Sequence, residues 1–482
     1  MMKTFADRRV TILGLGREGM ALTRFMAKRG AQVIVSDRRG LADLADEIGQ
    51  LAGLPVTCVL RDHPEDILET DILFVSPGIP RSVPIVRAAE ARGVPVSSLT
   101  ELFFELCRAP IVGITGSAGK TTTTTLIGEM LKTDRRRKTW VGGNIGRPLI
   151  EEVDDIRAGD WVVLELSSFQ LEHLRRSPHV AVVTNVRPNH LDRHGTFEAY
   201  RDAKANILRH QSADDVAVLN WDDPETRALA ELAPGRVLWF SRREAVPQGA
   251  FVRDEMIVVR DGERLVKVCS LAEIGLPGEH NIENVLAAVT VAHAVGVKPG
   301  TMARVIRSFR GVEHRLELVR VIDGVRWVND SIATSPDRTI AALRAFPEDA
   351  GRIILLAGGR DKHLPLDELA REIVARVKYL VLFGEMAPKI EAAVKQAMLQ
   401  ANGTGRRVPI RRCLTLEEAV AVAAEVSESD DLVLLSPSGT SFDAFRDYEE
   451  RGRRFKELVR RLPTAAEVAY QNRLARLASG AR

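Results

Sequence analysis

The residues best suited to chemistry begin at Gly116-Ser117-Ala118-Gly119-Lys120-Thr121-Thr122. Two glycines three apart let backbone N–H groups converge on an anion, a lysine follows at once, and a hydroxyl follows the lysine. This is the make-up of a phosphate cradle. Amides and the start of the next helix face the phosphates, Lys120 adds a full charge, and Thr121 sets an oxygen where a phosphate-bound Mg²⁺ would sit. The loop is shorter than the common G-x-x-x-x-G-K-[ST] form, because Ile114 stands five residues before Gly119, where that motif has glycine. A glycine turn that merely caps a helix is the competing reading. Against it, the β-branched run Ile111-Val112-Gly113-Ile114-Thr115 precedes the loop and a helix-compatible stretch follows to Met130. ATP is the expected ligand.

Two further groups carry chemical potential. Glu165 sits inside the apolar run Trp161-Val-Val-Leu-Glu-Leu166, where an unpaired carboxylate would cost several kcal/mol unless a partner or a cation meets it. Gly14-Leu15-Gly16-Arg17-Glu18-Gly19 lies between a strand at 10–13 and a helix to about residue 29, and a second strand at 32–36 ends at Asp37. That spacing places a nucleotide phosphate on a helix N-terminus and an acid near a ribose or base. A plain βα turn fits the same residues. So does a nicotinamide-dependent dehydrogenase, which would leave Lys120, Glu165 and the last third of the chain without a role. Downstream, 71–75 reads as a buried strand running into the rigid turn Ser76-Pro-Gly-Ile-Pro80.

These groups need α/β scaffolding, and the chain is long enough for three such domains. It has 482 residues with a net charge of +3, too small to argue for a nucleic-acid partner. Four scattered cysteines, Cys58, Cys107, Cys269 and Cys413, form no disulfide framework or zinc motif. No leader-like segment opens the chain and no apolar run approaches the ~18 residues of a membrane span, so a reducing cytoplasm is the simplest setting. A monomer is the simplest oligomeric state.

The expected fold class is α/β in three domains. A Rossmann-like N-terminal domain spans 1–108, a central P-loop-type ATP-binding domain 109–312, and a doubly wound α/β C-terminal domain 313–482, the last ending in a basic, Ala-rich tail over 464–482. In the central part a second glycine-rich loop, Gly142-Gly-Asn-Ile-Gly146, follows a strand, and Asn281 and Asn284 share one helical face. In the last part, strands at 326–328, 353–356, 379–383 and 432–435 lead into the polar turns Asn329-Asp-Ser331, Gly358-Gly-Arg-Asp-Lys362 and Ser436-Pro-Ser-Gly-Thr-Ser441. Such turns at strand carboxyl ends suit an anionic substrate and a nucleotide.

Taken in order, these motifs resemble the Mur ligase family, the ATP-dependent amide-forming enzymes of peptidoglycan precursor synthesis. The motifs that carry the resemblance run from Gly14 to about Gly452. They include Leu164-Glu-Leu-Ser-Ser-Phe-Gln-Leu-Glu172, Asn185 with His190, Leu276-Pro-Gly-Glu-His-Asn281, His314-Arg315 and Ser436-Pro437 with Ser441-Phe442-Asp443. The Rossmann-like first domain and Ser167-Ser-Phe-Gln170 favour the member that adds D-glutamate to UDP-N-acetylmuramoyl-L-alanine. The resemblance implies a carboxylate activated by ATP as an acyl phosphate, then displacement of phosphate by an amine. It also implies roles for residues. Lys120, His190 and Lys204 would be catalytic, and Thr121, Glu165, His190 and a carbamylated Lys204 would serve Mg²⁺. Gly116 to Thr122, Asn281, Asn284, Arg315 and Asp330 would bind ATP. Gly14, Leu15, Gly16, Arg17, Asp37, Arg38 and Gly78 would hold the uridine nucleotide, Asn144 the muramoyl end, and Thr334, Lys362, Ser441 and Phe442 D-glutamate. The chain departs from the family pattern at Ser117-Ala118 and at Ile332, where several members carry lysine. Tyr448 keeps an aromatic where one is expected.

Overall fold

The computed structural model describes residues 5–276, 278–346, 349–361, 364–400 and 407–467, apart from the Asp192 side chain. Lys362 and the tail from residue 468 therefore lie outside the described residues. The chain divides into two compact units, Met1–Phe309 and Arg310–Arg482.

The first unit holds two sheets. The N-terminal one is five-stranded and all parallel, in the order Val56–Leu60, Gln32–Asp37, Arg9–Leu13, Ile72–Val75, Val96–Ser97. Val10, Ile12, Leu13 and Val35 are almost fully buried, as expected where helices cover both faces of a parallel sheet. Strand order reverses between Arg9–Leu13 and Ile72–Val75. The crevice beyond the carboxyl ends of such a switch point is where α/β sheets take ligands, and here it receives Gly14 and Ser76. Helix Arg17–Lys28 opens directly from the glycine turn and turns Met20, Ala21, Leu22, Phe25 and Met26 inward.

The second sheet has nine strands, in the order Arg264–Ser270, Met256–Asp261, Gly249–Arg253, Arg236–Ser241, Val216–Asn220, Val180–Val183, Ile111–Thr115, Trp161–Glu165, Thr139–Gly143. Ile111–Thr115 sits between Val180–Val183 and Trp161–Glu165 with parallel pairing on both sides. The loops after these three strands therefore emerge together. The first two strands in that order join antiparallel, an extension that sequence patterning left as unassigned strand-like material.

The second unit has a six-stranded sheet in the order Glu317–Ile322, Val325–Asn329, Leu432–Ser438, Ile353–Gly358, Val377–Phe383, Ile410–Arg412. All pairs are parallel except the first. The four strands read from the sequence here, 326–328, 353–356, 379–383 and 432–435, all run longer in the fold, and the last differs most, since that reading ended it at 435 and began a turn at Ser436. The strand continues through Ser438, because Ser436 is fully buried and its hydroxyl donates to Asp330 Oδ2 at 2.9 Å. The chain turns only at Ser438, with φ of 72°.

Candidate active site

Strand Ile111–Thr115 delivers the phosphate loop and helix Lys120–Leu131 receives it. The loop is held open by its neighbours. Ser117 N donates to Asn185 O at 2.9 Å, Ala118 N to Asn185 Oδ1 at 2.9 Å, and Thr184 Oγ1 to Ala118 O at 2.6 Å. Ser117 Oγ also lies 2.9 Å from Tyr200 Oη. Gly116 and Gly119 have φ of 151° and 81°, and a Cβ on either would run into Thr184 or Asn284. Only glycine fits these positions.

Three side chains of opposite character meet beside this loop. The buried Glu165 carboxylate accepts from Thr121 Oγ1 at Oε2 and from Asn144 Nδ2 at Oε1, each at 2.7 Å. On the other side, Lys120 Nζ and Lys204 Nζ both donate to the Gly116 carbonyl at 2.9 Å. Lys204 is 1% exposed, and its ammonium also faces the Tyr200 ring at 4.7 Å. Burial, then the Lys120 charge, push the Lys204 pKa well below the usual lysine range, with Glu165 pulling weakly the other way.

His190, with φ of 52°, caps the short helix Leu191–His194. Its ring lies 5.2 Å from Phe169 and 6.4 Å from Tyr200. His194 stacks on Phe169 at 5.1 Å and its Nε2 lies 3.0 Å from Ser168 Oγ. Sequence reading did not single out His194. Its one signal was a second histidine four residues after His190. Asn281 and Asn284 face helix Lys120–Leu131: Asn284 Nδ2 donates to Asn281 Oδ1 at 3.0 Å, and Thr123 Oγ1 to Asn284 Oδ1 at 3.3 Å.

The crevice at the N-terminal switch point is a cavity of about 660 Å³. Gly14, Gly16, Arg17, Asp37, Arg38, Gly78 and Asn144 all line it, joined by Ser76, Ser167 and Phe169. Leu15 lies beneath, its amide donating to Asp37 Oδ2 at 2.8 Å. Burial raises the Asp37 pKa, but the Arg39 guanidinium and the Leu15 and Arg39 amides more than offset that and hold it below the usual carboxylate range. The Arg17 guanidinium donates to Gly146 O at 2.8 Å and to Asn144 O at 2.9 Å, so it braces the second glycine loop against the cavity. Beside it, Glu18 Oε1 accepts from Gln170 Nε2 at 2.7 Å while Oε2 is sealed without a hydrogen-bond partner among the described residues. Burial pushes this carboxyl up to about 7, against the smaller effects of Arg17 and Gln170.

In the second unit, Asp330 follows strand Val325–Asn329, and its buried carboxyl is pushed up to about 7 by desolvation, against bonds from Ser436 and Leu316. Arg315 is exposed, Thr334 half-buried, Ser441 buried, and Phe442 54% exposed. Arg338 Nη1 donates to the carbonyl of Ile332 at 3.0 Å. The sequence offered Arg451 only as the start of a basic run, 451–456, that a solvated helix face would explain; it is instead fully buried and donates to Ser331, Gly439 and Thr440. The signal was present: Arg451 occupies the apolar stripe of its helix with Phe455 and Val459.

Three family models match the chain. Residues 8–98 match the Mur ligase MurD-like N-terminal domain, 114–292 the Mur ligase middle domain, and 314–439 the Mur ligase glutamate ligase domain. The chain is 49% identical to the UDP-N-acetylmuramoylalanine–D-glutamate ligase of Symbiobacterium thermophilum, over 95% of this chain and 98% of that one. It is 46% identical to the protein of the same name from Acetivibrio thermocellus, over 95% and 97%. Among solved structures, the UDP-N-acetylmuramate-alanine ligase MurC from Thermotoga maritima shares the fold. Its TM-score is 0.54 at 19% identity, covering 94% of this chain and 99% of that one.

Proposed function

The chain belongs to the Mur ligase family, and we propose that it joins the amine of D-glutamate to the alanyl carboxylate of UDP-N-acetylmuramoyl-L-alanine, converting ATP to ADP and phosphate. The observation that carries this reading is the pair of lysines on the Gly116 carbonyl beside the Thr121–Glu165 pair. The names of the relatives supply the two substrates. In this reading residues 1–108 take the uridine nucleotide, 109–312 the ATP, and 313–482 the amino acid, and the reaction runs in the cytoplasm. Among the described residues no helix is long and apolar enough to cross a membrane.

The chemistry follows from charge. An alanyl carboxylate oxygen attacks the γ-phosphorus and the bond to the β-phosphate oxygen breaks, giving ADP and an acyl phosphate. The unprotonated amine of D-glutamate then adds to the acyl carbon. The tetrahedral adduct expels phosphate and the nitrogen gives up a proton. Anions must approach anions throughout, so the protein's main work is neutralisation and alignment. Lys120 is placed to follow the β/γ-phosphates, and the loop amides to bind them. The uridine nucleotide lies in the switch-point cavity, with Arg17 and Asn144 fixing the glycine loop that leads toward Glu165.

Mg²⁺ fits the oxygen donors present. The Glu165 carboxylate and the Thr121 hydroxyl already touch, and Mg²⁺ commonly combines one or two carboxylates with substrate phosphates. Among the described residues no group of three or more His, Cys, Asp or Glu side chains forms a ready cage, which suits a cation shared with phosphate. When bound, Mg²⁺ would offset phosphate charge during transfer. Lys204 joins the donor set only as a carbamate, since an ammonium offers no lone pair. Its burial and its closeness to Lys120 favour the neutral amine that reacts with CO₂. His190 and Lys204 both face the Tyr200 ring, at 6.4 Å and 4.7 Å.

The test is phosphate release from ATP with Mg²⁺, UDP-N-acetylmuramoyl-L-alanine and, in turn, D-glutamate, L-glutamate, L-alanine or meso-diaminopimelate. Release with D-glutamate alone is expected. Equal or greater release with another acceptor refutes the assignment.

A further inference from the structure

Helix Tyr448–Arg461 buries two cations, and they are treated differently. Lys456 Nζ meets Glu313 Oε1 at 2.7 Å and Glu317 Oε1 at 2.8 Å. Arg451, 0% exposed, has no carboxylate within ion-pair distance among the described residues. Its five N–H donors go instead to neutral oxygens. Nε donates to Ser331 Oγ at 3.1 Å and Nη2 to Ser331 O at 3.0 Å, while Nη1 and Nη2 each donate to Gly439 O at 3.2 Å and Nη1 also to Thr440 O at 3.2 Å. A buried guanidinium without a counter-charge is costly, so a helix that pairs Lys456 yet leaves Arg451 unpaired calls for a reason.

The place of the guanidinium supplies one. Ser331 follows strand Val325–Asn329, and Gly439-Thr440 follow Leu432–Ser438. Gly359, which follows Ile353–Gly358, packs so close that a Cβ there would lie 3.0 Å from Arg451 Nη1. One side chain thus ties together the carboxyl-end turns of three neighbouring strands, the rim where a sheet of this kind takes its ligand. Beyond these hydrogen bonds it feels only the Asp443 carboxylate, which forms no ion pair with it, so its charge stays available to that rim.

We propose that Arg451 is a positioning residue of the amino-acid site, a fixed positive charge that clamps the three turns and biases the rim toward an amino acid bearing a second carboxylate. The proposal deepens the D-glutamate reading and rests on it. D-glutamine, which keeps the amine and α-carboxylate but lacks the side-chain charge, is the discriminating acceptor.

The experiment compares kcat/KM for D-glutamate and D-glutamine in wild type, Arg451→Met, Arg451→Lys and Lys456→Met. In Arg451→Met the D-glutamate KM should rise, and the preference for D-glutamate over D-glutamine should fall about tenfold, with the KM for ATP changed by about twofold at most. Arg451→Lys keeps the charge and loses the fork, so its preference should stay within about threefold of wild type while kcat drops about tenfold. Lys456→Met should lower thermal stability and leave the preference alone. A purely structural arginine would cost both acceptors alike. An unchanged preference in Arg451→Met overturns the proposal. If that variant does not fold, loss of the preference in Arg451→Lys does so. A wild type that turns over neither acceptor refutes the D-glutamate reading instead.

Discussion

Two ammonium groups cannot both stay charged cheaply on one carbonyl oxygen, and Lys120 and Lys204 share Gly116 O at 2.9 Å each. In the proposed reading the half-buried Lys120 serves as the phosphate counter-charge. Lys120→Ala should cost roughly 10²–10³ in kcat, the size of a lost electrostatic donor, with little change in melting temperature. In the same proposed reading Lys204 yields its proton and becomes the carbamate. Lys204→Ala and Lys204→Arg should both be inactive, since guanidinium stays cationic and takes up no CO₂, and acetate should restore part of the activity of the alanine variant. Full activity in Lys204→Arg would rule the carbamate out. Glu18 makes a separate residue-scale prediction. Its folded carboxyl titrates at about 7, above its unfolded range near 4.3. Below that range both states are protonated and no penalty exists. As pH rises toward 7 the unfolded state ionises first, so the folded state loses stability relative to it, on the order of 3–4 kcal/mol above pH 7. Glu18→Gln should therefore raise the melting temperature more at pH 8 than at pH 5. An equal shift at both values would contradict this.

At the scale of elements, helix Tyr448–Arg461 is the clearest case of position outweighing propensity. Gly452 sits inside it, and a Cβ there would overlap the buried His314 ring. Alanine would gain about 1 kcal/mol in helix propensity, but overpacking a buried ring costs about 1–3 kcal/mol. Gly452→Ala should therefore lower stability by calorimetry, and a stabilised variant would show that the ring shifts freely. Strand and helix positions were largely legible in the sequence because apolar runs and glycine turns marked them: 111–115, 161–165 and 180–183 match within a residue. The antiparallel extension Gly249–Ser270 was less legible, since its apolar runs, 250–252 and 256–259, are short and most of its last strand, Arg264–Ser270, is exposed or half-buried. Lys120, Thr121 and Glu165 announced themselves by motif or by a charge in an apolar strand. Arg451 did not, because its bonds to Ser331 span 120 positions in sequence, and only the folded sheet brings those turns together.

Across the whole molecule, each of the three sheets sends glycine- or serine-bearing turns from the carboxyl ends of its strands, and the proposed ligands divide among them. One oxygen atom is common to the two proposed steps. An oxygen of the alanyl carboxylate bonds to the γ-phosphorus and, when the amine displaces phosphate, leaves with it. The direct measurement supplies UDP-N-acetylmuramoyl-L-alanine with both alanyl carboxylate oxygens as ¹⁸O, together with ATP, Mg²⁺ and D-glutamate, and weighs the phosphate released. The account predicts one labelled oxygen in each phosphate for every amide formed. Amide formed with unlabelled phosphate, or phosphate released without amide, would contradict it.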